Sequence, residues 1–320
     1  MNQPVRARIR IAAVIALALF AIVFSASDIV LPWHPYGAVG FTSNRRVGVT
    51  SVTPNSHAAK MGVRVGDRIN FFALGPLERA VLNFNGTVMF GAAGSSYTIA
   101  FIAPDGGVRT VTVGLEVRHR SFAVNLTDVI ECLSFFISIV LGALLVRLRP
   151  SRMTWAFFAF VLLSTSVSVT PLTLGNLGID IAAVAYGALT ILAWIPLTIF
   201  ALRFPHDRPG KIARSIERVL LFSLIVLVPL ELFFPITSIF ATVSFALADT
   251  IQLLRRVSPP FGLVLAASMF AANYRAAGPS DRTRIRWVIA GFLGGYAAIV
   301  VRGFQSFIFH DFSARLRSGI

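Results

Sequence analysis

The sequence predicts a polytopic α-helical membrane protein of about seven spans, with one α+β domain inserted after the first. Three observations predict it. Of 320 residues, 56% are hydrophobic and 13% charged, more apolar surface than a soluble chain of this size can hide. The apolar residues gather into runs near the roughly 20 residues a helix needs to cross a hydrocarbon core. One block, residues 33–120, breaks that pattern with period-two alternation and glycine turns. The expected organisation is an anchor over 1–32, the inserted domain over 33–120 and a multi-span part over 121–320.

The anchor is the apolar run from residue 11 to 31, preceded by Arg6, Arg8 and Arg10. Ser25, Ala26 and Ser27 would suit cleavage of a signal peptide, but the length favours an uncleaved span. Further spans are expected near 126–146, 154–173, 181–202, 219–238, 260–274 and 286–308. Residues 239–259 are apolar at first and then carry Asp249, Arg255, Arg256, Pro259 and Pro260. They read as an interfacial or re-entrant stretch, or as an eighth span.

Within the inserted domain, Val47 and Val49 alternate with Gly48 and Thr50, as in a strand. Pro54 and Asn55 break it. Asn55 or Ser56 can cap a short helix from 56 to 61, and Gly62 stands where a left-handed residue ends one. Gly66 and Asp67 turn the chain into Arg68 and Ile69. A second helix is expected after Pro76, with Leu77, Ala80, Val81 and Phe84 on one face. Residues 97–102 form a strand, Pro104 to Gly107 a turn, and Val111, Val113, Leu115 and Val117 a further strand.

The stretch VTPNSHAAKMGVRVGDRI resembles the core of bacterial PDZ domains, as found in HtrA-type periplasmic proteases and site-2 proteases, through Pro54, Ser56, Ala58, Ala59, Gly62, Gly66, Asp67 and Ile69. The resemblance implies that Val39, Gly40 and Phe41 form a loop whose N–H groups hold a peptide's terminal carboxylate. It also implies that an apolar last side chain enters a pocket lined by Val39, Phe41, Val81 and Phe84. The expected partner is therefore the C-terminus of an exported polypeptide. Gly40→Val is expected to crowd the loop while leaving the domain folded.

The net charge is +15, which invites a nucleic-acid reading. Its placement argues instead for topology. Arginines and lysines gather at 6–10, 147–152, 203–218 and 275–286, while residues 174–180 carry none. Such a bias puts the N-terminus and those loops in the cytoplasm of a bacterial inner-membrane protein, and the inserted domain outside. Arg255, Arg256 and the arginines after 300 are discordant.

Two of these loops, LRFPHDRP over 202–209 and YRAAGPSDRTRIRW over 274–287, are similar to loops of multi-span bacterial sensor proteins. There the membrane part leads into a histidine kinase or phosphatase domain. This sequence contains no phospho-acceptor histidine box and no glycine-rich ATP lid. The resemblance thus implies a sensor's input half, signalling to a separate cytoplasmic kinase or phosphatase.

Catalytic readings are weaker. A site-2 protease requires HExxH, which is missing, and a rhomboid protease requires a serine motif and a helix histidine. The five histidines are scattered, and Cys132 is the sole cysteine, so neither a metal site nor a cofactor is expected. A transporter would want a repeat between halves, and none is evident. Asp128, Glu131, Asp180 and Glu231 lie near expected span ends, where carboxylates can serve ion paths. Trp155, Trp194 and Trp287 suit interfacial or packing positions.

The expected orientation is open to a direct check. Alkaline phosphatase fused after Glu116 should be active in cells, and fused after Lys211 it should be inactive. The reverse pattern would contradict the orientation.

Overall fold

Two separate hydrophobic cores organise the chain. The computed structural model describes residues 3–25, 36–44, 47–76, 78–79, 82, 90–117, 122–164, 177–240 and 245–291. One core belongs to helices; the other lies among short strands between residues 39 and 115.

Among the described residues the strand part contains three small sheets. β1 (Tyr36–Ala38) lies between β5 (Phe90–Ala92) and β8 (Glu116–Val117), antiparallel to both. Gly37 faces Gly91 there because Leu115 packs over them; a Cβ at either glycine would lie within 2.5 Å of the Leu115 side chain. β2 (Phe41–Ser43) pairs with β3 (Val49–Val52). β4 (Arg68–Ile69) pairs with β6 (Ser96–Ile102), which forms a hairpin with β7 (Val108–Gly114). Asp105 Oδ1 accepts from Gly107 N at 2.9 Å in the hairpin turn.

The first strand of the motif starts later than the alternation suggests. Val47 has a φ of 57° and belongs to a turn in which its N–H donates to Asn44 O at 2.9 Å. The helix is short, α2 (His57–Lys60), with Ser56 as its cap and Gly62 at a φ of 81°. Residues 76, 78, 79 and 82 are helical, and Leu82 is buried in the strand-part core.

The helical part begins with α1 (Gln3–Ser25) and resumes with α3 (Phe122–Leu148) and α4 (Arg152–Leu163). A reciprocal bond pair between Ser151 and Thr154 caps α4, satisfying two otherwise orphaned N–H groups. α5 (Leu177–Thr190) passes through a single 3-10 turn into α6 (Trp194–Arg203). α7 (Lys211–Phe240), α8 (Phe245–Ala276) and α9 (residues 279–291) follow. α6 is the axis: every residue from Ile195 to Arg203 is buried, and α4, α7 and α8 pack around it. A helix apolar on all faces requires that enclosure. Gly262 of α8 provides the close approach, since a Cβ there would lie 2.4 Å from Trp194 Cβ.

The expectation of about seven spans is corrected here. Among the described residues one helical stretch, Val184–Arg203, is long and apolar enough to cross a membrane. Cys132–Leu148 and Arg152–Leu163 are apolar but shorter. The physical reasons are visible in the elements. α1 includes Arg6, Arg8 and Arg10. α3 includes Asp128 and Glu131. From Phe245 onward, the segment read as interfacial and the span expected after it are one helix, α8, which carries Asp249, Arg255 and Arg256 and continues through Pro259 and Pro260. The expected spans over 154–173 and 286–308 extend beyond the described residues.

The C-terminal end of α6 is tied electrostatically. Arg203 is buried and donates from Nη2 to both Glu217 oxygens, at 2.9 and 2.7 Å. Its Nη1 donates to Asp207 Oδ1 at 2.8 Å. The exposed Arg152 guanidinium lies 3.6 Å from Glu217. Two cations and two carboxylates therefore balance. Removing one partner of such a buried pair costs about 3–5 kcal/mol because it strands the other, whereas an exposed pair is worth about 1 kcal/mol or less. Glu217→Ala should therefore lower the thermal unfolding midpoint of the detergent-solubilised chain far more than Arg152→Ala. Equal shifts would contradict this assignment.

Candidate functional site

The five residues singled out for peptide binding divide into two groups. Val39, Gly40 and Phe41 are described; Val81 and Phe84 lie outside the described residues. Val39 and Phe41 are buried in the core of the strand part, and Phe41 meets Phe101 edge-on at 5.7 Å between ring centroids. Their side chains thus hold the loop from below.

Gly40 makes the turn between β1 and β2. Its φ is 75°, a region costly for residues with a Cβ. Two donors fix its carbonyl: Thr53 N at 2.8 Å and Ser56 Oγ at 3.4 Å. Ser56 is itself buried, and its Oγ accepts from Ala59 N at 3.1 Å. One hydroxyl therefore caps α2 and braces the loop. This brace also corrects the expectation for Gly40→Val. A Cβ at Gly40 would lie 2.7 Å from Ser56 Cβ and 2.9 Å from its Oγ, so the substitution strains the backbone and disturbs the cap as well as crowding the loop.

The strand register decides which backbone groups are available. Residues facing one another in an antiparallel ladder alternate between pairs that exchange hydrogen bonds and pairs that do not. Thr53 N bonds Gly40 O, so Gly40 and Thr53 form a bonding pair, and so do Thr42 and Ser51 two residues on. Phe41 and Val52 between them are a non-bonding pair. The Phe41 N–H and C=O consequently point away from β3, toward the other edge of β2. Among the described strands none pairs with that edge. An extended peptide would find both a donor and an acceptor there.

The Gly66 turn is held separately. Asp67 is 1% exposed. Its Oδ2 accepts from Arg64 N at 2.7 Å and from the Arg109 guanidinium on β7. The resemblance motif therefore braces the fold on both sides of β3, through Ser56 and through Asp67.

The two loops singled out by their similarity to sensor proteins come together where α6 and α8 end. Asn273 Nδ2 donates to Ala201 O and Phe204 O, both at 2.8 Å. His206 Nε2 lies 2.9 Å from Asp281 Oδ2. Phe200, Phe204 and Phe270 pack between them with centroid separations of 5.4 to 6.3 Å. The sequence did not reveal Arg203 and Glu217 as partners; a carboxylate 14 residues after an arginine has no periodic signature. Of the carboxylates considered for ion paths, Glu231 is buried on α7. The side chains of Asp128, Glu131 and Asp180 lie outside those described. Among the described residues, no group of three His, Cys, Asp or Glu side chains converges closely enough for a metal ion.

The chain matches no protein-family model, no curated protein and no solved structure among those compared.

The double role of Ser56 can be measured. Ser56→Ala removes an N-cap, worth about 1 kcal/mol, and one of the two bonds to Gly40 O. It should accelerate amide hydrogen exchange at Thr53 and Ala59 together. Faster exchange at Ala59 alone would show that the hydroxyl caps the helix without bracing the loop.

Proposed function

We propose that this chain is a non-catalytic membrane receptor or scaffold that captures the C-terminal end of an exported polypeptide on the outer edge of β2. The observation that carries the reading is the direction of the Phe41 N–H and C=O at an edge where no described strand pairs. Sheet extension supplies main-chain affinity, and the turn at Gly40 sits where a terminal carboxylate would end the added strand. The PDZ resemblance supports this placement.

Exposed apolar side chains support membrane residence. Val23 on α1, Ile137 on α3, Phe222 and Phe233 on α7 and Val264 on α8 are all more than half exposed. Faces of that extent are unfavourable in water and favourable against lipid tails. The proposed location is a bacterial inner membrane, with the strand part on the extracytoplasmic side. A separate cytoplasmic kinase or phosphatase is proposed for output, on the ground that loops 202–209 and 274–287 pack together where α6 and α8 end.

The test is titration of the detergent-solubilised full chain with a library of peptides bearing free C-termini, followed by amidated versions of those that bind. Charge-assisted hydrogen bonds contribute about 1.5–3 kcal/mol, so amidation should weaken binding roughly tenfold or more. Binding indifferent to amidation would leave the edge and remove the carboxylate. No binding by any peptide would overturn the reading.

A further inference from the structure

Tyr274 stands at the C-terminal end of α8, and two arginines of α9 converge on it. Arg286 donates from Nε and Nη2 to the Tyr274 hydroxyl, at 2.9 and 2.6 Å. Arg282 donates from Nε to Tyr274 O at 3.2 Å and from Nη2 to Arg275 O at 3.3 Å. Both guanidinium carbons lie 5.6 Å from the centroid of the Tyr274 ring. The spacing of four residues puts Arg282 and Arg286 on one face of α9, and Ile285 beside them, fully buried, anchors the helix to the helical core.

The charges of this cluster are not neutralised internally. Asp281, the neighbouring carboxylate, is occupied by His206 at 2.9 Å and Arg284 at 3.6 Å. Among the described residues, no carboxylate lies within ion-pair distance of Arg275, Arg282 or Arg286. Hydrogen bonds to a phenol and to carbonyl oxygens orient the guanidinium groups and leave their positive charge available. Bringing like charges together is unfavourable unless an anion joins them. The planar guanidinium fork can donate two hydrogen bonds to a pair of phosphate oxygens.

The surroundings indicate which anion. Trp287, next in the chain, is 74% exposed. Exposed aliphatic and aromatic side chains continue along α7 and α8, among them Ile212, Val219, Phe261 and Val264. A tryptophan and a ring of arginines at the end of apolar helices form the arrangement found at the headgroup level of a bilayer. We infer that Tyr274, Arg282 and Arg286 form a binding site for the phosphate of an anionic lipid headgroup, with Trp287 beside it in the interface. The inference rests on the membrane reading above.

The test uses the full chain in a nonionic detergent, incubated with equal amounts of phosphatidylglycerol and phosphatidylcholine. Retained lipid is counted by native mass spectrometry. The wild type should retain more phosphatidylglycerol, and the double substitution R282Q/R286Q should reduce that excess roughly five- to thirtyfold. R282K/R286K, which keeps the charge without the fork, should fall between and serves if the glutamine variant does not fold. Equal retention of both lipids, or an excess unchanged in both variants, overturns the inference. Displacement of phosphatidylglycerol by millimolar inorganic phosphate assigns the site to a free anion and overturns the choice of lipid. Arginine-dependent crosslinking to a soluble acidic protein, with lipid retention unaffected, assigns it to a protein partner instead. Cell fractionation separates the two readings. A chain that sediments with membranes but shows no lipid preference loses this inference alone, and one recovered in the soluble fraction loses both.

Discussion

The buried pairing of Arg203 with Glu217 is the constraint on which the helical part depends. α6 is enclosed along its length by other helices, so the guanidinium of its final residue has little access to water. Glu217 and Asp207 answer that charge with three close hydrogen bonds. In doing so they fix where the chain turns after α6 and how α7 begins. Asn273 then ties α8 to the same turn, and Asp281 ties α9 through His206. A low-dielectric interior makes such a network intolerant of partial disruption. The charged end of a buried helix and the bonds around it thus bring together loops distant in sequence.

The strand part rests on a smaller constraint of the same type. Gly40 adopts a conformation reserved largely for glycine, and Ser56 holds its carbonyl from the side. The alternation of bonding and non-bonding pairs then directs the Phe41 backbone outward. Peptide capture, on this account, is a property of backbone direction. Val39 and Phe41 contribute by filling the core beneath the loop.

What the sequence made legible was mostly local. Ser56 as a cap, Gly62 and Gly66 at positive φ, and the hairpin over 96–114 each follow from residue type and spacing. Two local readings failed for local reasons. Val47 is drawn into a turn by bonds to Asn44, and two prolines inside α8 did not end it. The number of spans was not legible, because composition cannot tell a helix buried in protein from one bathed in lipid. The stretch Val184–Arg203 is the clearest instance: its apolarity is used largely against other helices, and most of it is buried. Nor could periodicity pair Arg203 with Glu217 or place Arg282 and Arg286 on one tyrosine ring, since each contact joins different elements.

The central claim, that the outward edge of β2 receives a peptide ending in a carboxylate, is tested most directly by hydrogen–deuterium exchange on the full chain. A peptide that pairs with this edge should protect the Phe41 amide, with the free acid protecting the Gly40 turn as well and the amidated peptide failing to do so. Protection confined to other segments, or identical for acid and amide at Gly40, would contradict the account.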